Sequence, residues 1–142
     1  MLGGRRAKGQ SLAELALLLP LLLLILMGCL DLGRAFATWL TLANRAREGV
    51  RYGCALSVPL TAEEMNRVKA RTLEGIASEG LPLEAVSVQV SSGPVPGSST
   101  DAEVVVTAST SLELTTVILF GGKPVTITAQ ARMVMLRGGG GA

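Results

Sequence analysis

The sequence predicts an α+β protein: a long, apolar N-terminal helix, a second short helix, and a small antiparallel sheet of three strands or more. Three observations carry this. Leucine crowds the first quarter of the chain, whereas valine, threonine and serine dominate the last third. The spacing of apolar residues changes along the chain from helical steps to strict alternation. A cap-and-stop pattern marks a separate helix between the two regions.

The first helix rests on Leu12 to Leu30, a run of nearly all Leu, Ile, Ala and Met. A helix of that length rises about 28 Å, close to the hydrocarbon thickness of a bilayer. Arg5, Arg6 and Lys8 precede the run without an acid among them, so the positive-inside rule puts the N-terminus in the cytoplasm and exports the rest. Arg34 and Arg45 weaken that asymmetry without reversing it. Beyond Leu30, the residues Leu32, Phe36, Trp39, Ala43, Ala46 and Val50 recur at alternating steps of four and three, a helical stripe. Arg34, Thr38, Thr41, Arg45 and Glu48 fall on the other side. Asp31 with Arg34, and Glu48 with Arg51, are spaced to pair along the surface. The helix is therefore expected to run on to about Leu56. Such a rod is on the order of 65–70 Å long. Its stripe needs cover, from the chain's own sheet or from neighbouring subunits.

The second helix starts at Leu60-Thr61-Ala62-Glu63-Glu64-Met65. Thr61 can cap, Glu64 completes a capping box, and Leu60 can staple onto Met65. Gly80 and Pro82 stop it near Ser78 or Glu79. Met65, Val68, Thr72 and Ile76 form its buried stripe, and Glu63, Arg67, Arg71 and Glu74 its solvated face. Val86, Val88 and Val90 then alternate with polar residues as a first strand. A turn-rich loop, Ser91 to Asp101, leads to a second strand over Glu103 to Leu114, with Val104, Val106 and Ala108 on one face. Val125, Ile127, Ala129, Ala131 and Met133 alternate as a third. The apolar connection Val117 to Phe120 either caps the sheet or dips toward a membrane or neighbour. Gly138 to Gly141 read as a flexible tail.

Composition narrows the function. The chain has 142 residues and a net charge of +2, and its basic residues do not interleave with aromatics as a nucleic-acid surface requires. It has no histidine, the commonest general base and metal ligand. Cys29 and Cys54 on one continuous helix lie about 37 Å apart, too far for a disulfide. No nucleophile motif, phosphate loop or metal-ligand spacing is present, so neither an enzyme nor a cofactor is expected, and no small-molecule substrate.

Three mechanisms compete for the apolar run: a cleaved signal peptide, a lipoprotein signal ending in Leu26-Met27-Gly28-Cys29, or a retained anchor. Glu14 favours the anchor, because a carboxylate at the edge of hydrocarbon is costly and so tends to be functional. The helical stripe favours it too, since a cut at Cys29 severs the helix. Pro20 lies inside the run; a deliberate bend and a tolerated kink fit it equally.

Gly9-Gln10-Ser11-Leu12-Ala13-Glu14 resembles a prepilin-peptidase site, in which a basic leader ends in glycine and glutamate stands fifth in the mature chain. Lys8-Gly9-Gln10-Ser11, Glu14-Leu15-Ala16, Pro20, Gly28, Asp31, Gly33-Arg34 and Ala46-Arg47-Glu48-Gly49-Val50-Arg51-Tyr52-Gly53 together resemble the TadE-like family, pilin-like proteins of tight-adherence (Flp-type) pilus systems. The resemblance covers residues 8 to 53. The chain departs from it after Ala129 to Arg137, where the family carries an acidic residue. The resemblance implies a pilin-like fold: a leader over 1–9, a helix over 10–57 (transmembrane over 12–30, amphipathic over 31–57), an extracytoplasmic domain over 58–137 and a tail over 138–142. It implies cleavage between Gly9 and Gln10 by a prepilin peptidase and anchoring in the bacterial inner membrane. Glu14 would set axial register, Pro20 a helix bend, and Leu32, Phe36, Trp39, Ala43, Ala46 and Val50 packing onto other pilin-like subunits. It points to a minor subunit, although the long amphipathic helix suits a shaft as well. The alternative is a single-pass envelope protein unrelated to pili, either acylated at Cys29 or an uncleaved binding module.

Overall fold

The computed structural model describes residues 4–56, 59–97, 101–116 and 121–135, with side chains from Gln10 onward. The fold is α+β: an apolar N-terminal helix, a second helix and a three-stranded antiparallel sheet. Val117 to Phe120 and the glycine tail lie outside the described residues. Contacts divide the chain into two units, Met1–Arg34 with Glu113–Pro124, and Ala35–Leu112 with Val125–Ala142.

Helix α1 spans Gly4–Cys54 and continues through Pro20. It is long and apolar enough to cross a membrane, and its leucines from Leu12 to Leu30 are exposed. In the first unit the side chain of Asp31 is buried. Its carboxylate accepts from the Thr115 amide at 3.0 Å, the Thr116 amide at 2.7 Å and the Thr116 hydroxyl at 2.6 Å. Those donors are helical residues that follow the sheet's middle strand, and amides at the start of a helix have no partner of their own. Arg34 stands 3.9 Å away, so the expected pairing with Asp31 is the weaker of its contacts. The Thr116 hydroxyl above all, then the amides, hold the Asp31 carboxyl well below the usual carboxylate range.

In the second unit, helix α2 spans Ala62–Ser78. The Thr61 side chain accepts from the Glu64 amide and the Glu64 carboxylate accepts from the Thr61 amide, the reciprocal box the sequence predicts. Val68, Thr72 and Ile76 are buried, with Met65 partly so. The strands are β1 (Val86–Pro94), β2 (Ala102–Leu112) and β3 (Val125–Met135), in the order β1-β2-β3. Strand β1 runs four residues into the expected loop, because Ser91 to Pro94 pair with Val105 to Ala102. Proline is tolerated there because β1 is an edge strand. Strand β2 is shorter than expected at its far end, where Glu113 and Leu114 leave the sheet ahead of the turn on Asp31. Register aligns Val88, Ala108 and Ala129, then Val90, Val106 and Ala131, so one face is apolar. With Leu42, Ala43, Ala46 and Val50 of α1 and Val68 and Ile76 of α2, that face makes the core.

The two helices meet where side chains are smallest. A Cβ added to Gly49 would lie 2.3 Å from the Thr72 hydroxyl, and one on Gly53 would lie 3.4 Å from a Val68 methyl of α2 and 3.1 Å from a Val104 methyl of β2. Arg45 ties the helices at their polar edge, holding Glu48 at 2.7 Å and also Glu79. Glu48 therefore pairs with Arg45, not with the expected Arg51.

Candidate functional site

Gly9, Gln10 and Glu14 all lie in the first turns of α1. The backbone at Gly9-Gln10 is helical, so a protease that needs extended chain must first unwind it. The Gln10 side-chain amide donates to the Glu14 carboxylate at 3.3 Å, and both residues are exposed. This i,i+4 contact gives the carboxylate one local partner. Apolar side chains follow immediately: Leu15, Leu17 and Leu18 are each more than half exposed. Pro20 removes one donor from the ladder, leaving the Ala16 carbonyl without its usual amide.

The six-residue stripe divides. Ala43, Ala46 and Val50 are buried in the core of their own unit, against the sheet. Of the two covers expected for the stripe, the chain's own sheet is the one these three residues have. Leu32, Phe36 and Trp39 remain exposed, at 75%, 63% and 41%. The Phe36 and Trp39 rings stack with centroids 6.0 Å apart, and Leu40 is exposed beside them. Thr38, expected on the outer side, is buried. The buried face of α1 also takes in Leu42, Gly49 and Gly53, roughly 80° round from the centre of the stripe. Leu42 lies outside the expected stripe, and the small residues Gly49 and Gly53 mark the side of α1 to which it belongs.

On the other side of α1, Asn44, Arg47, Glu48, Arg51 and Tyr52 line an open cleft of about 590 Å³ with Arg71 of α2. The Arg47 guanidinium donates to the Asn44 side chain at 3.3 Å. Arg71 reaches Glu74 at 3.4 Å. Cys29 and Cys54 are both free thiols. Among the described residues, no group of three or more His, Cys, Asp or Glu side chains could hold a metal.

These features define a class: an α+β protein with one helix fit to anchor it in a membrane and an apolar helical surface its own fold leaves bare. The family whose model matches is described as TadE-like protein, and the match runs over residues 9–51. It begins at the Gly9-Gln10 pair and ends at Arg51, within α1 throughout. No curated protein and no solved structure is matched by the chain.

Proposed function

We propose that the chain is a membrane-anchored, pilin-like subunit of a tight-adherence (Flp-type) pilus system, with a structural or assembly role. The observation that carries this is the family match over residues 9–51, which takes in the glycine–glutamine pair, Glu14 and the arginine-rich end of α1. In this reading a prepilin peptidase cuts between Gly9 and Gln10, and the protein sits in the inner membrane with its sheet outside the cytoplasm. Glu14 then becomes the fifth residue of the mature chain. Its carboxylate meets the new amine of a neighbouring subunit in a medium of low dielectric, where an unpaired charge is costly. That cost fixes how far one subunit slides along the next. Pro20 supplies a point at which the helix can bend as it leaves the bilayer.

The exposed Leu32, Phe36 and Trp39 support the reading. They prolong the apolar surface past the membrane run, and a second helix packed along them removes them from water. The test is the intact mass and N-terminal sequence of the protein from its native membrane. A chain starting at Gln10 bears out the processing step. A lipidated chain starting at Cys29, or an uncut chain, refutes it.

A further inference from the structure

Charge pairing inside the second unit is nearly complete, and what is left over is complementary. Glu48 and Glu79 hold Arg45, Glu63 holds Arg67, Glu74 faces Arg71 and Glu103 faces Arg132. Glu64 closes the α2 cap, and Asp101 has its own partner. Of the described carboxylates of this unit, Glu84 remains. Of its described cations, Arg47 and Arg51 have no carboxylate partner, and neither has Lys69 on α2. Arg47 and Arg51 are one helical turn apart and converge with Arg71 on the cleft between α1 and α2. Glu84 lies elsewhere, on the exposed turn Leu83–Ala85. Pro82 fixes the chain's entry to that turn, and Leu83 is 47% exposed beside Glu84.

We infer that the arginine cleft is a socket for the Glu84 turn of a second copy of this chain. The inference rests on the reading that copies assemble, and it names a contact between their sheet-bearing units. Guanidinium forks grip a carboxylate with two parallel hydrogen bonds, a geometry a solvated ion pair does not hold. Three guanidinium forks line the one opening, Arg47 and Arg51 without a carboxylate and Arg71 shared with Glu74; the Glu48 carboxylate in the lining is already held by Arg45, and the Tyr52 and Asn44 side chains offer further donors. Its volume of about 590 Å³ admits an exposed turn and not only a small ion. Because socket and turn are different patches, the contact either closes a reciprocal two-fold pair or runs head-to-tail. Head-to-tail contacts repeat into open helical arrays when the rotation does not close a ring.

The test uses full-length protein in isolated membranes, with Cys29 and Cys54 replaced by Ser and Ala. One chain carries Arg51→Cys and a differently tagged chain carries Glu84→Cys. Oxidation is expected to give a mixed disulfide bearing both tags, because a bridge forms only when Cα atoms come within about 7 Å. The pair Arg51→Cys with Glu63→Cys is expected to give none. In the second arm, Arg51→Glu and Glu84→Arg each reduce sedimentable assemblies by about tenfold or more, and the combined R51E/E84R chain regains them. Absence of the mixed disulfide, or a double variant no better than the singles, overturns the socket. So does a cleft that binds vesicles of anionic phospholipid through Arg51 while Glu84→Arg changes nothing. The N-terminus of the same samples separates the two readings. Chains that start at Gln10 and form filaments without the disulfide sink the socket alone. Unprocessed chains sink the pilin-like reading, while the disulfide still reports whether copies meet there.

Discussion

Replacing Gly49 by alanine tests how the two helices are packed. In an isolated helix the change is favourable by about 1 kcal/mol. Here the new Cβ falls 2.3 Å from the Thr72 hydroxyl oxygen. Thr72 is 1% exposed and its hydroxyl donates to the Val68 carbonyl at 2.8 Å. Either the helices part, with the overpacking cost of about 1–3 kcal/mol, or Thr72 turns and gives up a buried hydrogen bond of about 1 kcal/mol. The net expectation for Gly49→Ala is a loss of roughly 1–2 kcal/mol. The sign should reverse once Thr72 is alanine. Without the hydroxyl, the nearest atoms to the new methyl are the residue-72 Cβ at 3.5 Å and a Val106 methyl at 3.6 Å, ordinary contacts. The added alanine is then neutral or favourable by up to about 1 kcal/mol. Native-state hydrogen exchange at the Val104 and Val106 amides, in detergent, reads this in the core while the apolar helix stays folded. A Gly49→Ala change with the same effect in both backgrounds refutes the close approach of the helices.

Thr61→Ala removes half of the α2 capping box and should lower stability by about 1 kcal/mol, measured by the same exchange at amides of α2. The Asp31 carboxyl is lowered from 3.8 to about 2 by the Thr116 hydroxyl, then by the Thr116 and Thr115 amides. Its contribution is thus complete above pH 3.8 and lost as the pH falls toward about 2. Protection of the Thr115 and Thr116 amides should follow that window; protection unchanged down to the lower limit refutes the clamp. Gly9→Leu should leave a full-length precursor on an immunoblot. Glu14→Ala should be cut normally yet assemble poorly, by about tenfold or more if register depends on a buried charge pair; normal piliation in that strain counts against the register argument.

Much of the fold was legible because each element announces itself locally. The capping box at Thr61 and Glu64 needs only residues three apart, and the strands alternate cleanly at Val86, Val88 and Val90. The apolar run is visible by length alone. What the sequence hid is decided at a distance. Which face of α1 is buried depends on small residues, Gly49 and Gly53, meeting Thr72 and Val104, and glycine carries no hydrophobic signal. Asp31 read as a surface partner of Arg34, because its true donors stand 84 and 85 residues away. The extra residues of β1 also come from pairing across a turn, against the local bias of Ser92-Gly93-Pro94 toward a loop. At the candidate site, Gly9, Gln10 and Glu14 are a local motif and were visible. The convergence of Arg71 with Arg47 and Arg51 depends on the docking of α2 and was not.

The Asp31 clamp also orders events in time. A ribosome makes the aspartate early and its hydrogen-bond donors more than eighty residues later, so this contact has one of the longest loop closures in the chain. Long closures form late. Helix α2 and the β1–β2 hairpin can assemble from neighbouring residues while Asp31 is still hydrated. The residues Thr115 and Thr116 arrive next, ahead of the third strand. The clamp closes only when synthesis has passed the middle strand, and a chain truncated before Thr115 leaves the carboxylate in water.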